Sequence, residues 1–150
     1  MIKHFVNAWE ENKYKLEDYI KTHSQDNYIT YESLTKLIIE KVLNNYKDLS
    51  FQTDDIVEID FGDYQGTYIY VFHEDTYQPD INETFYTSVY YGSCSGCDTL
   101  LGISEYSSEL PTEDQVKQYM DLCLHLIQNI KCFGDVDSNW SLLSLNEEGN

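Results

Sequence analysis

The stretch DIVEIDFGDYQGTYIYVFH, residues 55–73, alternates with a period of two. Val57, Ile59 and Phe61 fall on one side and Glu58 and Asp60 on the other. After the turn residues GDYQG at 62–66, Ile69, Val71 and His73 fall on one side and Tyr68, Tyr70 and Phe72 on the other. Alternation of this length, broken by Gly and Asp, predicts two half-buried strands joined by a tight turn. TFYTSVYYG, residues 84–92, repeats the pattern, with Phe85, Thr87, Val89 and Tyr91 opposite Tyr86, Ser88 and Tyr90. The loop EDTYQPDINE at 74–83 separates it from the second strand. Three strands with such connections predict an antiparallel meander.

Outside this block the period lengthens to that of a helix. Ile2, Phe5, Val6, Trp9, Leu16 and Ile20 form one stripe, which SQDN at 24–27 interrupts. Leu34, Leu37, Ile38, Lys41 and Val42 form a second stripe between Glu32 and Tyr46, with Thr30 placed to cap it. A short helix is predicted near Asp98–Ile103. A longer one begins at Thr112, which stands three residues before Gln115 in capping-box spacing. Its stripe is Val116, Tyr119, Met120, Cys123, Ile127 and Ile130, and Gly134 is placed to end it. The fold class is α+β: a small three-stranded antiparallel sheet with two N-terminal helices and a C-terminal helix packed on one face. The helices are expected on the aliphatic side of the sheet, leaving the tyrosine side more open. At 150 residues one domain is expected, with 135–150 as a partly ordered tail that adds a short element around Trp140–Leu145.

Charge is unevenly distributed. The net charge is -18, and all nine basic residues are Lys. Residues 1–47 carry seven Lys against seven Asp or Glu, and residues 117–150 carry two Lys against five. Residues 48–116 carry fifteen Asp or Glu and no Lys. Such a region repels nucleic acid and attracts basic surfaces. The absence of Arg removes the side chain best suited to bidentate phosphate recognition. Direct nucleic-acid binding is therefore not expected. No apolar run approaches the ~20 residues of a membrane span, and the first residues lack the apolar stretch of a leader, so a cytoplasmic protein without membrane contact is expected.

Fourteen tyrosines strengthen the interaction reading, because Tyr presents a large, semi-rigid surface with a polar tip. Tyr68, Tyr70, Tyr86 and Tyr90 are assigned to the strand face that carries Glu58 and Asp60, with Asp54, Asp55, Asp63, Glu74 and Asp75 at its rim. The competing reading is that a terminal element packs over this face. The acidic clusters match no EF-hand spacing, and the chain has no Walker loop, G-x-G-x-x-G, G-x-S-x-G or H-E-x-x-H. No cofactor or metal is expected, and no catalytic residue is assigned.

Cys94 and Cys97, in YYGSCSGCDTLLGI at 90–103, leave four readings open. A zinc site needs further ligands from Cys123, His125 and Cys132, whose helical spacing does not converge. A redox pair fits the position before a helix but lacks a strand–helix–strand context. A nucleophile needs a base, for which His73 is the candidate. The structural reading is a tight strand-to-helix turn permitted by Gly92 and Gly96, with the thiols as small buried hydrophobes.

YYGSCSGCDTLLGI together with YMDLCLHLIQNIK at 119–131 resembles an uncharacterised family of bacteriophage and prophage proteins. The resemblance covers about a third of the chain, from Phe85 to Lys131, and implies a context inside a bacterial cell, not an activity or a catalytic residue. The expected function is a non-enzymatic, nucleic-acid-mimicking inhibitor. Its partner is a basic host protein, a restriction or CRISPR nuclease or another nucleic-acid-binding protein, and a homodimer is allowed. The alternatives are a small metal- or thiol-dependent enzyme centred on Cys94, Cys97 and His73, and a phage structural or assembly protein.

Overall fold

The computed structural model describes residues 2–63 and 65–135. Of the expected tail at 135–150, residues 136–150, with the element at 140–145, lie outside the described residues. Two helices come first, α1 (Ile2–Thr22) and α2 (Tyr31–Lys41). Three main strands follow, β1 (Val57–Gly62), β2 (Gly66–His73) and β3 (Thr84–Tyr91). Then come a short α3 (Thr99–Ser104), α4 (Glu113–Gln128) and a two-residue β4 (Lys131–Cys132). The sheet is antiparallel throughout, in the order β1-β2-β3-β4. Among the described residues no helix is long and apolar enough to cross a membrane.

Local chemistry fixes the helix starts. Thr30 accepts from the Ser33 backbone N–H while Ser33 accepts from that of Thr30, so two orphan donors of α2 are satisfied reciprocally. Thr112 and Gln115 do the same for α4, and the Asp98 side chain caps α3. On α1, Phe5, Ala8, Trp9, Leu16 and Ile20 are buried, each large side chain contributing about 1.5–3 kcal/mol. The buried Asn12 amide donates to the Val42 carbonyl at 3.1 Å, tying α1 to the end of α2. Val6, placed on the stripe from sequence, is 53% exposed, because the face of α1 turned inward runs through Ala8 and Asn12 instead. Helix α4 packs against α1 and α2, with the Tyr119 ring 5.1 Å from that of Tyr28.

The sheet registers show which side is inward. Glu58 stands opposite Tyr70, and Asp60 opposite Tyr68. Across the next pair, Tyr68 meets Val89, Tyr70 meets Thr87 and Phe72 meets Phe85. This face packs under the helices: Phe5 sets its ring edge-on to Phe85 at 5.7 Å, and Phe51 lies 5.1 Å from Phe72. Tyr70, Phe72 and Phe85 are buried in the main core. The helices thus cover the aromatic side, not the aliphatic side expected from sequence. Aromatic rings bury 150–250 Å² each, so enclosing them removes more apolar surface than enclosing Ile69 and Val71. Alternation defines two faces but not which of them the helices take.

The other face is not bare. Ile69 and Tyr86 are buried there, and the Tyr86 ring lies 5.0 Å from Phe133. The fourth strand was not anticipated. Lys131 and Cys132 pair with Tyr86 and Phe85, so α4 stops at Gln128, before the expected end at Gly134.

Candidate functional site

β1 is the outer strand of the sheet, and its carboxylates are exposed. Asp54 and Asp55 precede it, Glu58 and Asp60 lie on it, and Asp63 follows it. At the β2 end of the same edge, Asp75 accepts from the Gln52 amide and Asp55 lies 3.5 Å from His73 Nε2. Glu74 is half-buried and bridges to Phe51. Burial first, then the nearby Glu83 and Asp80, raises its pKa above the ordinary carboxylate value. Asp54, Asp55, Glu58, Asp60 and Asp63 therefore lie on or next to the outer strand, with Asp75 beside its start through Gln52, whereas Glu74 faces Glu83 and Asp80 on the β2–β3 side. At about 3.3 Å per residue the six residues of β1 span roughly 20 Å. The charged side chains also protect an open strand edge against self-pairing. The lysines of α1 contrast with this edge: Lys13 and Lys21 lie within 3.4 Å and 3.2 Å of Glu10 and Glu17 on the same helix.

The tyrosines divide. Tyr68 and Tyr70 share the inward face with Glu58 and Asp60, as expected, but Tyr70 is enclosed and Tyr68 is half-buried. Tyr70 has no exposed surface and donates to Glu58 at 2.8 Å. Burial, and then that hydrogen bond, raises its pKa far above the usual tyrosine value. Tyr68 stacks on Tyr91 at 4.0 Å, and Tyr91 donates to Asp60. Tyr86 and Tyr90 pair with Val71 and Thr67, which puts them on the opposite face. Tyr86 is buried, and Tyr90 is 40% exposed and donates to Gln65 at 3.3 Å. The expected single row of four tyrosines therefore does not form, because the β2–β3 register places odd and even positions in a combination that sequence alone did not reveal.

Between the start of α2, the β1–β2 edge and the start of α3 lies a recess of about 400 Å³. Tyr31, Glu32, Glu58, Tyr68, Tyr91 and Asp98 are among its lining residues. Tyr31 and Asp98 were not singled out in the sequence, and they organise the site. The buried Tyr31 hydroxyl donates to Asp98 Oδ1 at 2.9 Å and accepts from Leu100 N–H at 3.1 Å. Asp98 also accepts from the N–H groups of Gly92 at 2.9 Å and Leu101 at 3.0 Å. Aromatic rings and carboxylates around a partly open recess form the chemical setting that receives a Lys or Arg side chain.

Asp98 also anchors the CSGC turn. Cys97 N–H and Asp98 N–H both donate to the Cys94 carbonyl, at 3.1 Å and 2.9 Å. A Cβ on Gly92 would collide with the backbone and sulfur of Cys97, so the close approach requires glycine. Cys94 and Cys97 are exposed, not the small buried hydrophobes of the structural reading. Their sulfurs lie 2.8 Å apart, and Cys97 Sγ also accepts from Cys94 N–H at 3.1 Å. The Cys94 hydrogen bond, joined by Ser93, holds the Cys97 thiol below its ordinary pKa against a smaller opposing effect of lost hydration. Cys123, by contrast, is fully buried, and burial pushes its thiol far up.

His73 is not a neighbour of this pair. It ends β2 opposite Thr84, whereas Tyr91, which leads into the CSGC turn, pairs with Gly66 at the other end. The two ends of the eight-residue strand are thus roughly 23 Å apart. Cys97 instead lines a groove of about 910 Å³ together with Thr67, Ser88, Gln118, Asp121 and His125. The period of α4 puts Gln118, Asp121 and His125 on one side, a signal available in the sequence once the position of α4 is known. Among the described residues no three His, Cys, Asp or Glu side chains converge to hold a metal ion. Comparison with family models, curated proteins and solved structures returned no match.

Proposed function

We propose that the protein is an interaction module whose acidic edge occupies the basic nucleic-acid-binding groove of a partner. The supporting observation is β1: an outer strand whose flanks and face carry Asp54, Asp55, Glu58, Asp60 and Asp63, within a run of residues that contains no Lys. Alternate carboxylates on a strand stand about 6.6 Å apart, close to twice the ~3.4 Å rise per phosphate of one DNA strand. A partner that neutralises phosphates with Lys and Arg meets on this edge a similar line of fixed negative charge. The Tyr-lined recess behind Glu58 then takes one basic side chain of the partner, with the rings contributing cation–π attraction and the carboxylate a charge-assisted hydrogen bond.

This reading narrows the expected surface. Tyr86 and Tyr90 leave the site, Tyr68 and Tyr91 form a wall of the recess, and Tyr70 supports Glu58 from beneath. With the phage resemblance, the partner class is a host defence protein that binds DNA or RNA, such as a restriction or CRISPR nuclease, met in the bacterial cytoplasm. The test is binding of a purified basic nuclease of that class to the wild-type chain and to a variant carrying Asp54→Asn, Asp55→Asn, Asp60→Asn and Asp63→Asn. The variant should keep its fold and lose most of its affinity, and the wild-type affinity should fall steeply with added salt. Equal affinity of the two proteins, or binding indifferent to salt, would remove the acidic edge from the account.

A further inference from the structure

We propose that Cys94 and Cys97 form a thiol–disulfide exchange site that reduces a small neutral or cationic disulfide held in the groove between β3, α3 and α4. This inference is independent of the acidic edge, which lies on the other side of the sheet order. Four observations carry it. Both thiols are exposed, unlike Cys123 in the core. Their sulfurs are 2.8 Å apart, close enough to join as a disulfide with little movement. Cys97 Sγ accepts from Cys94 N–H at 3.1 Å, with the Cys94 thiol, Ser93 Oγ at 3.8 Å and the Cys94 carbonyl at 3.3 Å as its other polar neighbours, and the N–H donor favours a thiolate. Beside it lies a groove of about 910 Å³, which is ample for a small organic ligand.

The groove also carries an unmet polar demand. Thr67 lines it and is 3% exposed, yet its Oγ1 has no hydrogen-bond partner among the described residues. A buried hydroxyl without a partner costs free energy, and a ligand with a polar group offsets that cost on binding. The charge of the groove selects the ligand. Asp98 and Asp121 line it, and no Lys does. An anionic disulfide is repelled there, whereas a neutral or ammonium-bearing one is not.

The reaction balances with the disulfide R–S–S–R as its oxidant. The Cys97 thiolate attacks one sulfur, the S–S bond breaks, and RS⁻ leaves and takes a proton from water. Cys94 then gives its proton to water, and its thiolate attacks the Cys97 sulfur of the mixed disulfide. The second RS⁻ leaves and is protonated, and Cys94 and Cys97 remain joined as a disulfide. Two electrons pass from the cysteine pair to the ligand, which departs as two thiols.

The experiment uses the reduced full-length chain, with cystamine as the cationic probe, 2-hydroxyethyl disulfide as the neutral one and dithiodiglycolate as the anionic one. Remaining thiols are alkylated at intervals and the products located by peptide mass mapping. The wild type is expected to lose two hydrogens at Cys94 and Cys97 while Cys123 stays reduced. Cys94→Ser is expected to stop at a single adduct on Cys97, and Cys97→Ser to lose the fast reaction altogether. Cystamine should react about tenfold faster than dithiodiglycolate at low ionic strength, and Asp121→Asn should narrow that ratio. Circular dichroism checks that each variant is folded. The proposal is overturned if folded Cys97 reacts no faster than in the urea-unfolded chain, or if Cys94→Ser accumulates no adduct. Equal rates for the three probes would overturn the assignment of the groove as the binding site.

Discussion

The two faces of the sheet use the same residue type in opposite ways. On the inward face Tyr70 is fully enclosed, Tyr68 and Tyr91 stack, and the hydroxyls of Tyr70 and Tyr91 end on Glu58 and Asp60. On the outward face Tyr86 leans on Phe133, and Tyr90 donates to the Gln65 side chain. A buried tyrosine ring usually sets its hydroxyl on a hydrogen-bond partner. Here the partners are the carboxylates of the outer strand, so burial of the aromatic core and exposure of the acidic edge are linked. The carboxylates that face a binding partner are also acceptors for the core.

This contrast is most sharply tested at Asp98. Replacing it with Ala leaves the N–H groups of Gly92 and Leu101 and the Tyr31 hydroxyl without their acceptor and removes the cap of α3. Urea denaturation should show a loss of about 3 kcal/mol or more. A loss below about 1 kcal/mol would mean that the recess is not built around this carboxylate.

Alkaline titration separates buried from exposed tyrosines by a different route. Burial raises the pKa of Tyr28, Tyr31 and Tyr70, and that of Tyr119 to about 12. In the unfolded chain each ionises near pH 10. The neutral ring is thus retained longer in the folded state, so stability is intact below about pH 10 and falls as pH rises towards the folded-state values. Urea midpoints should drop between about pH 10 and 12, and tyrosinate absorbance should appear in step with unfolding for the buried set. Early, non-cooperative ionisation of all fourteen tyrosines would contradict the enclosed inward face.

Tyr70→Phe should cost about 1 kcal/mol, since it removes one hydrogen bond to a carboxylate that water can then serve. Tyr90→Phe should stay within about 0.5 kcal/mol. A reversed order would break the comparison between the two faces. The smallest effect is expected at the edge itself. Asp54→Asn or Asp63→Asn should change stability by less than about 0.5 kcal/mol, with a slight gain from reduced repulsion, since both side chains are exposed.

Much of the fold was legible in the sequence for definite reasons. The period of two gave all three main strands, and Thr30 and Thr112 marked two helix starts through capping boxes that the structure contains. The inward face was not legible, because alternation is symmetric until the helices are placed. The mixing of Tyr86 with Tyr68 followed from the same gap: face membership across strands depends on register, which the 74–83 loop does not fix. β4 escaped because two residues carry no period. In the site, the acids were readable as a charge run, whereas Tyr31 and Asp98 lie 67 residues apart and meet only through tertiary packing. The distance of His73 from Cys97 likewise needed the antiparallel pairing to appear.

The most direct test of the central claim is competition. A purified basic nuclease of the expected class, held by the immobilised chain at low salt, is challenged with increasing duplex DNA. The account predicts that DNA displaces the nuclease completely, at concentrations that track the affinity of the nuclease for DNA. A complex that persists at saturating DNA, with both ligands bound to the nuclease together, would show that the acidic edge does not occupy the nucleic-acid groove.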